Sequence, residues 1–137
     1  MFKATERICE VFDEHDLKYR TDESDNRSVV IAGIGTELTQ FQLLFISSDD
    51  DNDVAMRIYN FVSFKEEKLA RIVNLANQLN NEFRYLKFVV DNDNSVTLAY
   101  DFPVTCEDPG IIALEMLSKI MNFADEIYEK FMKELWS

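Results

Sequence analysis

The sequence predicts an α+β domain of order α-βββ-α-ββ-α, an antiparallel sheet packed with helices, and three observations predict it. Apolar residues recur with helical spacing at the start, in the middle and at the end of the chain. Between them lie short runs rich in β-branched and aromatic residues, joined by connections too short for parallel crossovers. The chain has 137 residues, 47% of them hydrophobic, with only three Gly and two Pro. That is enough apolar surface for a core and little material for linkers, so residues 1–137 read as a single domain.

The first helix is expected over residues 3–17, where Ile8, Val11 and Phe12 follow i, i+3, i+4 spacing and acidic residues fill the other face. The polar run "YRTDESDNRS" then breaks the pattern. "SVVIAGI" (28–34) is almost wholly apolar and reads as a strand. "GTE" turns the chain into "LTQFQLLFIS" (38–47), which puts Phe41, Leu43 and Phe45 on one face. In "VAMRIYNFVS" (54–63), Val54, Met56, Ile58 and Val62 share one side, and Arg57, Tyr59 and Phe61 take the other.

Ser63-Phe64-Lys65-Glu66 has the form of a capping box ahead of a second helix with the stripe Leu69, Ile72, Val73, Ala76 and Leu79, ending in "NQLNNEF". "RYLKFVVD" and "SVTLAYD" flank the turn-forming cluster "NDN" as a hairpin. Asp108 is placed to cap the last helix, with Pro109 in its first turn, where a missing N–H costs nothing. Ile112, Met116, Ile120, Phe123, Ile127, Tyr128, Phe131 and Leu135 carry the apolar stripe onward. That helix would be roughly 40 Å long at about 1.5 Å per residue.

The formal net charge is −12. Phosphate backbones and anionic lipid surfaces repel such a chain, so neither nucleic acid nor membrane is an expected partner. A protein or peptide client rich in Lys and Arg suits it better. The longest uncharged stretch, residues 38–48, is too short to span a bilayer as a helix. The first residues, "MFKATERICEVFDEHD", are charged too early for a secretory signal, and Cys9 and Cys106 read as reduced thiols, so a cytoplasmic location is expected.

Chemical signals are sparse. "SSDDDNDV" opens like a calcium loop at Asp49, but the sixth and twelfth positions, which need Gly and Glu, hold Val54 and Asn60. A loop begun at Asp91 fails in the same way with Val96 and Phe102, so both acidic runs read as hairpin tips, and no metal or cofactor is expected. Gly33 and Gly35 form a lone G-x-G whose third position is Leu38, which is no dinucleotide fingerprint. His15 stands among Asp13, Glu14 and Asp16 without a nucleophile partner. Cys9 and Cys106 read as packing thiols, the second nearer a helix start that would lower its pKa. No enzymatic activity is expected.

The informative anomaly is apolar content on both strand faces. Phe41, Phe45, Tyr59, Phe61, Tyr85 and Val89 are candidate partner-binding residues, because one helix layer can cover only one side of a sheet. Either helices cover both sides, or the second face buries against a partner, as a homodimer contact or a peptide groove.

The stretch "FKEEKLARIVNLANQLNNEFRYLKFVVDNDNSVTLAYDFP", with "RIYNFV" upstream and a long helix after it, resembles the YbjN family of bacterial sensory transduction regulators, most firmly over residues 56–103. The matching motifs mark a helix stop, a hairpin and a strand exit, and none is catalytic. The resemblance implies a fold like that of type III secretion chaperones, small acidic dimers that hold an extended segment of a client. It implies no enzymatic activity, no cofactor and no functional residue to carry over. The expected function is a non-enzymatic, chaperone-like regulatory domain binding a protein or peptide, in homodimeric form. The alternative is a small-ligand sensor domain, which requires an apolar pocket with a few convergent polar groups.

Overall fold

A computed structural model of the chain describes residues 1–48, 53–104 and 108–137. Its elements run α1 (Lys3–Glu14), β1 (Arg20–Ser24), β2 (Arg27–Gly35), β3 (Gln40–Ser48), β4 (Asp53–Ser63), one 3₁₀ turn (Glu66–Lys68) leading into α2 (Leu69–Glu82), β5 (Lys87–Val90), β6 (Ser95–Pro103) and α3 (Pro109–Leu135). This is the expected α+β order with one addition. The six strands form one antiparallel sheet in the order β1-β2-β3-β4-β6-β5.

The addition is β1, built from the polar run that interrupts the helical pattern. All five of its residues are exposed, so no hydrophobic alternation announces it. It forms because the two-residue turn at Asp25 and Asn26 folds it back onto β2, pairing Ser24 with Arg27 and Arg20 with Ile31. A short, charged edge strand is also how sheets avoid pairing with strangers. The opposite edge is guarded differently. The Asn80 amide of α2 donates to the Phe88 carbonyl at 3.1 Å and accepts from the Phe88 N–H at 2.6 Å, so one side chain occupies the outer edge of β5.

α1 ends at Glu14, short of the expected boundary, because Asp16 turns left-handed (φ 56°). The Leu17 N–H then bonds to the Phe12 carbonyl and the Asp16 N–H to the Asp13 carbonyl, a Schellman closure with Asp in the place usual for Gly. The capping box at Ser63 does not form. Ser63 is still paired with Ser95 in the β4–β6 ladder, so it cannot stand next to the helix, and the Glu66 carboxylate accepts from the Asn94 amide at 2.9 Å instead. On α2 the buried stripe is Ile72, Leu75, Ala76 and Leu79, with Val73 exposed.

The Asp108 cap does form: its carboxylate accepts from the Gly110 N–H at 2.9 Å, with Pro109 in the first turn of α3. The same carboxylate takes a fork of bonds from Arg7 of α1 at 2.9–3.1 Å, tying the two helices together. Arg7, and secondarily the Gly110 amide, hold Asp108 below its ordinary pKa of 3.8 against an opposing desolvation effect. The charged form is thus favoured by folding. Its contribution is complete above 3.8 and disappears as the pH falls through the lower folded-state value. Asp108→Asn keeps a capping oxygen and loses the charge. It should cost about 0.5–1 kcal/mol at pH 7, and thermal melts should show the gap from wild type closing below pH 3.8.

One apolar cluster joins the helices to a single face of the sheet. Ile8 and Phe12 of α1, Ile72 and Leu79 of α2, and Ile120, Ile127 and Phe131 of α3 meet Val30, Leu43, Phe45, Met56, Ile58 and Leu98 from the strands. Burying each such side chain is worth about 1.5–3 kcal/mol. The polar atoms at the start of α1 are satisfied within this layer. The Ser28 hydroxyl accepts from the Phe2 N–H and donates to Thr5, whose own hydroxyl donates to the Phe2 carbonyl.

Candidate functional site

Strand register decides what lies on the other side of the sheet. Val30, Phe45 and Met56 are cross-strand partners on the helix-packed face, so their neighbours alternate to the opposite face. There Ile31 pairs with Leu44, Val29 with Ile46, and Ile46 with Ala55. Ala99 lies opposite Arg57, and Val89 opposite Thr97. None of Ile31, Leu44, Ile46, Ala55 and Val89 packs against the core cluster, and among the described residues no helix covers them. The result is a half-buried apolar strip across the middle of a sheet face that no helix covers, with Val29 and Ala99 buried within it.

The six residues singled out from the sequence divide into two groups. Tyr59, Tyr85 and Val89 come together around a surface cavity of about 450 Å³ at the β5 side of the uncovered face. Tyr59 is 55% exposed and Tyr85 50%. Phe41, Phe45 and Phe61 belong to the helix side: Phe45 and Phe61 are buried in the core, and Phe41 packs against it. Phe61 departs from the expected alternation for a local reason. Asn60 takes a left-handed conformation (φ 53°), and β4 carries two more residues than β6 between the Ile58–Leu98 and Val62–Val96 pairs. This bulge turns Phe61 to the helix side, where its ring meets Phe41 at 5.7 Å and Tyr128 at 6.0 Å, both edge-to-face. An Asn preceding an apolar pair in a strand is the only sequence trace of the bulge.

Around the strip the charges balance. Arg20, Arg27, Arg57 and Lys87 share the face with Asp22, Asp53, Asp91 and Asp101, four of each sign among the described residues. Arg57 and Asp101 form an ion pair at 2.5 Å, and that contact raises the Arg57 pKa. The acidic excess of the chain therefore sits elsewhere, notably on the solvent side of the helices at Glu6, Glu10, Asp13, Glu14, Glu115, Glu126 and Glu129.

Several other titratable groups are engaged in local structure. In the β5–β6 hairpin, Asn94 is left-handed (φ 60°), Asp93 accepts from the Ser95 hydroxyl at 2.5 Å, and Asp91 accepts from the Thr97 hydroxyl. The second acidic run is thus a hairpin tip, while residues 49–52 of the first run lie outside the described residues, as does Cys106. Cys9 is half-buried, and desolvation raises its thiol pKa, which lowers the thiolate population. His15 is exposed, with Nδ1 2.9 Å from the Val11 carbonyl oxygen at the end of α1. Gly33 and Gly35 lie in β2. Among the described residues no group of three or more His, Cys, Asp and Glu is placed to hold a metal, and no helix is long and apolar enough to cross a membrane.

A family model with the description "YbjN: Putative bacterial sensory transduction regulator" matches residues 4–134, nearly the whole chain. The description names a regulator and not an enzyme. No curated protein matches the chain.

Proposed function

This chain belongs to the YbjN family, and on that premise we propose that it is a non-enzymatic regulatory domain that works through protein–protein contact on its helix-free sheet face. The single observation that carries the reading is the strip of Ile31, Leu44, Ile46, Ala55 and Val89, apolar and outside the core, inside a charge-balanced rim. Apolar surface of this kind is stabilised by removal from water, at about 25 cal/mol per Å².

The face's own chemistry fits a second copy. Two chains of net charge −12 repel each other, yet each presents a neutral face here and can turn its acidic helix layer away. Six strands at ~4.8 Å spacing and about seven residues at ~3.3 Å give roughly 600 Å² per copy. The pair would bury about 1,200 Å², above the ~1,000 Å² expected of a specific interface. The surfaces then left outward are acidic, which suits a client segment carrying Lys and Arg, bound as in the chaperone-like fold that the family resemblance implies. The regulator would thus act by holding a basic protein or peptide, and its location would be cytoplasmic.

Sedimentation velocity from low micromolar to several hundred micromolar tests the pairing. A dimer that dissociates on dilution and tolerates 0.5 M salt is expected, because apolar contact is not screened. A monomer at every concentration overturns it.

A further inference from the structure

On the helix side, where β4 finishes and β3 begins, a cleft of about 620 Å³ opens against the last turns of α3. This lies within the 300–1,000 Å³ range typical of small-molecule sites. Its inner wall is apolar: Phe61, Tyr128, Met132 and Leu135. The wall is set in advance of any ligand. Phe61 is held by its bulge and by the two ring contacts above, and the neighbouring 36–39 loop is pinned to α3 by Asp125. That carboxylate accepts from the Thr36 hydroxyl at 2.5 Å and the Leu38 N–H at 3.1 Å.

The mouth carries two cations, Lys65 and Lys68, against one anion, Glu67. Lys65 has no ion-pair or hydrogen-bond partner among the described residues, whereas Lys68 donates to a main-chain oxygen of Ser137 at 2.5 Å. The Tyr128 hydroxyl likewise has no partner among the described residues. Trp136 stands at the lip, 84% exposed. A large aromatic left in water beside the unpaired Lys65 ammonium is an incomplete site of the kind an amphipathic anion completes.

We propose that this cleft binds a small amphipathic carboxylate, its apolar body against Phe61, Tyr128 and Met132 and its carboxylate between Lys65 and Lys68, with Trp136 folding over it. The cleft lies on the opposite side of the sheet from the proposed protein contact, so either can fail without the other. An occupied cleft would give a regulatory domain its input.

Trp136 is the sole tryptophan of the sequence and reports directly on the cleft. Decanoate titrated into the full chain below its micellar concentration should shift that emission to the blue and saturate. Decanol, with the same chain and no charge, should bind more weakly. Lys65→Gln with Lys68→Gln should weaken decanoate about tenfold, the factor that 1.4 kcal/mol gives, and leave decanol unchanged. Glu67→Gln should strengthen decanoate. These side chains lie at the mouth of the cleft and away from the core, so all variants should fold, as far-ultraviolet dichroism would verify. A non-saturating response, equal affinity for decanol and decanoate, or decanoate binding indifferent to the lysine pair overturns the assignment.

Discussion

Ile46→Lys is expected to convert the proposed dimer to monomer while leaving the fold in place. Ile46 sits at the centre of the uncovered face, between Val29 and Ala55, and outside the core cluster. An ammonium there meets water in the monomer, so the stability cost should be about 1 kcal/mol, the scale of strand propensity. In the dimer each copy would bury that charge against apolar side chains without a partner, at several kcal/mol per ion. Self-association should weaken at least 100-fold, since every 1.4 kcal/mol is about tenfold. The sign of the charge makes the result informative. Lysine makes the net charge of −12 less negative by one, so if mutual repulsion limited pairing, the substitution would strengthen it. Equilibrium sedimentation distinguishes the two, and unchanged or tighter association would show that this face is not the interface.

Gly110→Ala is expected to destabilise the fold by about 3 kcal/mol, at the upper end of overpacking costs, and to lower Tm by roughly 10 °C in a chain of this size. In a helix the same exchange ordinarily stabilises by up to about 1 kcal/mol, so the sign itself is diagnostic. Gly110 lies in the first turn of α3, where α1 crosses it closely. A methyl group built there would stand 2.4 Å from Val11 Cγ2 and 2.8 Å from the Arg7 carbonyl oxygen. The first of these can be relieved by trimming the side chain, whereas the second is backbone. Val11→Ala in the Gly110→Ala background should therefore recover only part of the loss. Chemical denaturation of the four chains of this double-mutant cycle gives the coupling directly. A neutral or stabilising Gly110→Ala would mean that the two helices do not approach so closely.

The local devices were legible. The last helix carries its start in Asp108 and Pro109 and its buried face in Met116, Ile120, Ile127 and Phe131. The β5–β6 hairpin is written in its turn, where Asn94 takes the left-handed geometry that Asn tolerates. Each of these depends on residues within a few positions of one another. The capping box at Ser63 misled for the opposite reason: its spacing is correct, but a ladder partner far downstream, Ser95, keeps Ser63 in the sheet.

The uncovered face shows the same division. That the strands carry more apolar residues than one helix layer can cover follows from composition and pattern alone, and so does the presence of Tyr59, Tyr85 and Val89 among the candidates. Which residues face which way did not follow, because side-chain direction in a strand is a matter of parity. The left-handed backbone of Asn60 within the bulge redirects Phe61 into the core beside Val62 while leaving Tyr59 in water. Periodicity and turn chemistry thus determined the elements and most of their order. Register, the bulge, the polar edge strand and the choice of one sheet face for all three helices were decided only when distant segments paired, because their energies belong to contacts between strands and not to any stretch of chain.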